Sequence, residues 1–239
     1  MLSIMRMSEL SERSGVPVPS IKFYLREALL APGEHSSPNQ ASYGDDHVQR
    51  LRLVRALIDV AGLSVASVRS VLAAIDDTEL PLDWAFGLAQ RATPGGVPDH
   101  EPDGESRGAR EVQQLLAGAG WQISAGNPGR AMSARVLDTY ERLGHERLIA
   151  TLPAYLQAAE IIARADLEAV AAAPDRAAMV ETVVIGTTLG DTLLAGLRRI
   201  AQERASDDAF PTPPGAIPPP ELDDCTDDIT DDNTEETTP

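Results

Sequence analysis

Lys22 and Arg26 stand four residues apart in the stretch SGVPVPSIKFYLREALL, residues 14–30, which opens on a turn at Gly15. On a helix that spacing puts both cations on one face, opposite Ile21 and Leu25. Tyr24, between them, adds a phenolic hydroxyl. Such a set donates hydrogen bonds to phosphate oxygens and base edges. Arg6 and Arg13 before it, and Arg50 and Arg52 after it, extend the same chemistry to the flanking backbone of a duplex. Reaction chemistry has no counterpart. The chain has no Gly-x-Ser-x-Gly, no Gly-Lys-Ser/Thr phosphate loop, no His-Glu-x-x-His and no Cys-x-x-Cys. It reads as a non-enzyme that needs no cofactor. Its four histidines (His35, His47, His100, His145) are scattered, and its only cysteine, Cys225, lies in an acidic tail, so no metal site is expected.

A net charge of −17 sits oddly with a reader of polyanions, until the charge is placed along the chain. From Ser3 to Ile75 eight basic residues face seven acidic ones, so that segment is about neutral. After Arg204 there are eleven acids and no Lys or Arg. The acidity lies away from the candidate cations.

The elements that position those cations follow from punctuation and periodicity. Met7 to Ser14 reads as a short helix with Leu10 inward, stopped by Gly15. Pro19 suits the first turn of the next helix, Val18 to Arg26, with Ile21, Leu25 and Ala28 on its inner face. Ala31 to Ser42 has the Pro, Gly, Ser and Asn content of a hairpin wing. Asp45 and Asp46 open a helix at its electropositive end, with Val48, Leu51, Val54 (or Arg55) and Ile58 inward. Gly62 stops that helix. Ser64 caps another, through Ile75, whose stripe is Val65, Val68, Leu72 and Ile75.

Helix, glycine turn, helix, wing and two helices make a winged helix-turn-helix. From Ile4 to Ile75 the sequence resembles the MerR family of transcriptional regulators. MSELSERSGVPVPSIKFYLREALL and then YGDDHVQRLRLVRALIDVAGLSVASVRSVL carry the likeness. The resemblance assigns Lys22 to base or phosphate contact, Tyr24 to phosphate contact and Tyr43 to the closing of the wing. It implies a homodimer on a pseudo-palindromic promoter whose spacer is bent or untwisted for RNA polymerase, a deformation costing about 1–10 kcal/mol. Three positions depart from the family pattern. Leu25 replaces an acid, Pro17 replaces a Ser or Thr cap, and Ala41-Ser42 stand where an arginine ordinarily precedes Tyr43. These departures throw more of the binding onto Lys22, Tyr24 and Arg26.

The fold class expected is all-α with a small β-wing. The expected domains are the winged helix-turn-helix (1–78), a short helix and linker (79–107), a helical dimerisation or ligand-sensing domain (108–205) and a disordered acidic tail (206–239). Helices are expected over 80–91, 109–119, 130–144, 146–173 with a kink at Pro153, and 175–205. The last is the expected dimer interface, in place of the family's usual coiled coil, and Gly186 and Gly190 would allow close helix approach. Trp121, Met132, Tyr140, Tyr155, Met179 and Thr187 are candidate lining residues for a small-molecule effector. The N-terminus lacks the apolar core of a signal peptide, and Glu181 and Asp191 interrupt the most apolar stretch, so a cytoplasmic protein with no membrane span is expected. A competing reading keeps the fold but makes the N-terminal module a protein-interaction platform.

Overall fold

The computed structural model describes residues 5–37, 40–77, 79–93 and 106–212, with Gly215. Cys225, His100 and, apart from Gly215, the tail from residue 213 on lie outside these residues; residues 206–209, expected in the tail, instead continue the last helix. The helices are α1 (Met7–Ser14), α2 (Val18–Arg26), α3 (Asp45–Arg55), α4 (Val65–Asp76), α5 (Leu82–Ala92), α6 (Arg107–Gly118), α7 (Pro128–Arg142), α8 (Leu152–Ala171) and α9 (Arg176–Ala209). Strands β1 (Glu34–Ser37) and β2 (Gln40–Ser42) pair antiparallel, with a bulge between His35 and Ser37. The chain is thus all-α with a two-stranded wing among the described residues. Residues 1–196 and 197–239 form separate units.

The first unit is built from the expected signals. Gly15 ends α1 at φ +72°, and its N–H reaches the Ser11 carbonyl at 2.9 Å. Ser14 adds a hydroxyl bond to the Leu10 carbonyl at 2.6 Å and accepts the Val16 N–H, fixing the turn into α2. Pro17 caps α2 without a side-chain bond. At the far end of α2 the inner face differs from the periodic expectation. Ala28 is exposed at φ +56°, and Tyr24 takes the buried place beside Ile21. The reason is local: the backbone reverses at Ala28 so that Leu29 and Leu30, not Ala28, enter the core, and both their N–H groups bond to the Tyr24 carbonyl. Ser64 caps α4 by accepting the Ser67 N–H at 3.1 Å.

The wing is anchored tightly. Tyr43 and Met5 exchange both backbone hydrogen bonds at 2.9 Å, which ties the chain start to the wing's exit. A Cβ on Gly33 would stand 2.6 Å from the Ser42 carbonyl oxygen, so only glycine fits where the wing begins. One feature escaped the periodicity altogether. After Arg55 the helix widens to a π-turn over Ala56–Val60, before Gly62 (φ +67°) stops it.

Leu10, Ile21, Leu29, Leu51, Leu57 and Val68 form the core beneath these elements, all completely buried. Val184 of α9 belongs to that same core at 0% exposure, with Leu189 packed against it. The Thr192 hydroxyl also donates to the Val60 carbonyl of the π-turn, at 3.3 Å. The late helix therefore completes the N-terminal core. A second cluster joins Ala85 of α5 to Val170, Val180 and Val183, and the Arg176 guanidinium holds the Leu80 carbonyl at 2.6 Å. A third joins α6 and α7 through Val112, Ala134 and Leu137. Gly108 lets those two helices touch: a Cβ there would collide with the Ala134 carbonyl, and its N–H bonds to Asp138 at 2.7 Å.

α9 is long and apolar enough to cross a membrane by length and composition, yet Val180, Val183, Val184 and Thr188 are buried in protein. Beyond α9's own neighbouring backbone, no heavy atom of the described residues lies within 4 Å of a Cβ placed on Gly186 or Gly190, so among the described residues these glycines bring no helix close. In the second unit the turns of α9 after Gly196 are exposed.

Candidate nucleic-acid interface

The candidate cations divide into two groups. Lys22 is exposed on α2 and, among the described residues, meets no hydrogen-bond or ion-pair partner. Arg26, one turn on, is exposed with its guanidinium 5.9 Å from the Phe23 ring centroid, a cation–π contact that steadies it without neutralising it. Arg6 is exposed just before α1.

The remaining arginines are also bonded within the fold. Arg50 donates to the Leu29 carbonyl at 3.3 Å and pairs with Asp76. Arg52 donates to the Arg13 carbonyl at 3.0 Å and keeps an exposed side chain. Arg55 reaches the Gly15 carbonyl and Asp59, both at 2.9 Å. Arg69 holds the Glu27 carbonyl at 3.2 Å and its carboxylate at 2.7 Å. Arg13 itself pairs with Asp45 at 2.8 Å. The four carbonyls lie where α1 and α2 end, where helical C=O groups lack intrahelical donors and the dipole is negative. Guanidiniums from α3 and α4 satisfy them and so clamp α2 in place. Sequence reasoning gave Arg50 and Arg52 to phosphates and passed over Arg55 and Arg69. Residue type alone does not separate a brace from a contact, because both need an arginine on a polar helix face.

A direct test separates them. Arg50→Gln is expected to destabilise the protein by about 1 kcal/mol, lowering its urea midpoint. Asp76 stays exposed enough for water to take over, so the Leu29 carbonyl is the main loss.

The two tyrosines are core residues with polar tips. Tyr24 is 8% exposed and Tyr43 5%, and burial pushes both phenols above their ordinary values. Asp59 reinforces that shift at Tyr24, and Arg55 opposes it. Tyr43 closes the wing through its backbone ladder and sets its ring edge-on to His47, centroids 5.2 Å apart.

The six candidate lining residues do not share a pocket. Trp121 borders a cleft of about 530 Å³ with Leu115, Pro153 and Leu156. Met179 packs in the second cluster and Tyr140 in the third, while Tyr155 is 49% exposed and Met132 and Thr187 are half-buried. A larger cleft of about 810 Å³ lies between α3, the end of α4 and α9, lined in part by Leu53, Ile75, Glu181, Ile185 and Leu189. It contains none of the six.

A braced recognition helix, an anchored wing and two supporting helices define a winged helix-turn-helix DNA-binding regulator. Residues 5–75 match the family model described as MerR HTH family regulatory protein. Heavy metal-dependent transcription regulator 2 of Rhizobium meliloti (strain 1021) is 35% identical over 69 residues, which is 29% of this chain and 46% of that protein. HTH-type transcriptional regulator HmrR of Sinorhizobium medicae (strain WSM419) is 33% identical over the same shares. The chain thus spans about half the length of these curated relatives. A crystal structure of a protein described as the transcriptional regulator SCO5550, from Streptomyces coelicolor A3(2), matches at 33% identity and a TM-score of 0.61. That match covers 87% of this chain and 99% of the other. The chain belongs to the MerR family of transcriptional regulators.

Proposed function

We propose that this protein is a homodimeric transcriptional regulator that binds a pseudo-palindromic promoter through α2 and presents it, deformed, to RNA polymerase. The observation that carries the reading is the pair Lys22 and Arg26, exposed on α2, with arginines of α3 and α4 bonded to carbonyls at the end of α1 (Arg13, Gly15) and just beyond α2 (Glu27, Leu29). Neutralising phosphates releases counterions, so binding weakens steeply with salt. Footprinting on the upstream region of its own gene tests this. Protection of two half-sites about one helical turn apart, lost as salt rises, is expected. No protection at any salt would favour the protein-interaction platform.

The dimer reading rests on unsatisfied apolar surface. α8 is twenty residues long, yet only Val170 is buried, while Tyr155, Ile161 and Leu167 are about half exposed or more. Leu193 of α9 is 64% exposed and Leu194 43%. Helices of that kind gain their stability from a covered face. Ile161→Asp with Leu193→Asp is expected to turn the dimer into a monomer in sedimentation equilibrium. A dimer of unchanged affinity would overturn this surface as the interface. Deleting α9 is no substitute, because Val184 belongs to the N-terminal core.

An effector, if the protein answers to one, is best accommodated by the larger cleft, since it joins α3 to α9. The heavy-metal dependence named for the rhizobial relative is not carried over, because that match stops at 69 residues.

A further inference from the structure

The first turn of a recognition helix ordinarily reads base edges, but in α2 that turn is chemically bare. Pro17, Val18 and Pro19 carry no hydrogen-bonding side chain, and the two prolines lack an N–H as well. Ser20 offers one short, half-buried hydroxyl. Base reading is thus left to the second half of the helix, where Lys22 and Arg26 are the exposed polar side chains.

The two cations are held differently. Lys22 is a point charge on a flexible stem, with no partner among the described residues. Arg26 has a planar fork, and its guanidinium lies 5.9 Å from the centroid of the Phe23 ring. That ring is itself fixed from behind. Phe23 is half-buried against the N-terminal core, with its ring 5.8 Å from that of Tyr24 and tilted 58° to it. The helix end beneath Arg26 is also ordered: the Glu27 N–H bonds to the Phe23 carbonyl at 2.9 Å, and the Leu29 and Leu30 N–H groups bond to that of Tyr24. The adjacent carboxylate is occupied, because Arg69 holds Glu27 at 2.7 Å. Leu25, on the other side, carries no charge and packs against the core. A guanidinium set on a fixed ring, with no carboxylate to neutralise it, can donate two parallel hydrogen bonds outward. The base edge that matches such a fork in the major groove is O6 and N7 of guanine.

We propose that Arg26 reads one guanine in each half-site, that Phe23 is the positioning residue that aims it, and that Lys22 supplies charge without sequence preference. The inference rests on the DNA-binding reading and adds to it the residue that carries specificity. Both cations displace counterions, so the salt slope does not separate their roles. Stability does not either, since any cation in the last turn of α2 suits the helix dipole. Base preference does, because a phosphate contact is blind to sequence.

The test selects duplexes from a randomised library with the full chain, as wild type, Lys22→Gln, Arg26→Gln, Phe23→Leu and Phe23→Tyr, and then measures affinity for the selected duplex. Wild type is expected to enrich one guanine per half-site. Replacing that guanine by deazaguanine, which lacks N7, is expected to cost about fivefold or more. Lys22→Gln and Arg26→Gln each remove one charge and should both weaken binding, but only Arg26→Gln loses the guanine preference and the deazaguanine penalty. Phe23→Leu keeps the charge and is expected to reduce the preference about two- to fivefold, while Phe23→Tyr, which keeps the ring, retains it. A guanine preference that survives Arg26→Gln, or that disappears equally in Lys22→Gln, overturns base reading by Arg26. Full preference in Phe23→Leu overturns the positioning by Phe23. Arg26→Gln lies on the exposed face, so its outcome does not depend on how Phe23→Leu folds. Absence of salt-dependent binding to any duplex in wild type overturns the DNA-binding reading itself, and this inference with it.

Discussion

Val184→Asp is expected to melt α1 to α4 together with α9, lowering Tm by about 10 °C or more. Val184 is completely buried in the core that also holds Leu10, Ile21 and Leu51, although 100 residues or more separate it from them. Removing the valine forfeits about 1.5–3 kcal/mol of apolar burial, and the new carboxylate finds no cation in that cluster. A total of about 4 kcal/mol is a large share of the stability of any single unit. For a chain of this size each kcal/mol moves Tm by about 2–4 °C. Gln202→Asp, in the exposed turns of the second unit, is expected to shift Tm by less than about 2 °C. Hydrogen exchange decides how the damage is distributed. Loss of protection across α1 to α4 shows that α9 is part of the DNA-reading unit. Protection retained there, with only α5 to α9 melting, would show a separable C-terminal module instead.

Lys22→Ala with Arg26→Ala is expected to weaken promoter binding about 10- to 100-fold near 0.1 M salt while leaving Tm unchanged. The reasoning is electrostatic. Each neutralised phosphate contributes about 0.9 to the slope of log affinity against log salt, so the double variant should lower that slope by about 2. Lys22 has no partner to lose within the described residues, and Arg26 has only the Phe23 face. The fold is therefore spared. Arg50→Gln should show the converse, with stability reduced and the salt slope nearly intact. Were the double variant to keep the wild-type slope, α2 would not be the element that meets DNA. Tyr24→Phe separates the third candidate, because the ring stays in the core and only the hydroxyl is removed.

The wing is expected to contribute less to binding than the family pattern, with an arginine before the closing tyrosine, would imply. Ala41 and Ser42 stand there, and the Ser42 hydroxyl is turned inward to the Glu34 carbonyl at 3.0 Å.

The signals legible along the chain are local. Gly15, Pro19, Asp45, Gly62 and Ser64 act through the φ, capping and dipole preferences of a few neighbouring residues: α1 stops at Gly15, α2 opens beside Pro19, α3 opens at Asp45 and α4 follows Ser64, whereas α3 itself ends at Arg55 and gives way to the π-turn before Gly62. The exposure of Lys22 and Arg26 follows as well, because helical spacing alone puts them opposite Ile21. Tertiary structure decided the rest. Arg50, Arg52, Arg55 and Arg69 become braces because the ends of α1 and α2 bring carbonyls within reach, a match that no spacing within one helix encodes. The reversal at Ala28 depends on Leu29 and Leu30 finding the core, and Val184 joins that core because α9 folds back against α3. Contacts of that range are set by complementary surfaces brought together from distant parts of the chain, and a periodic pattern shows only that a face is apolar, never which partner covers it.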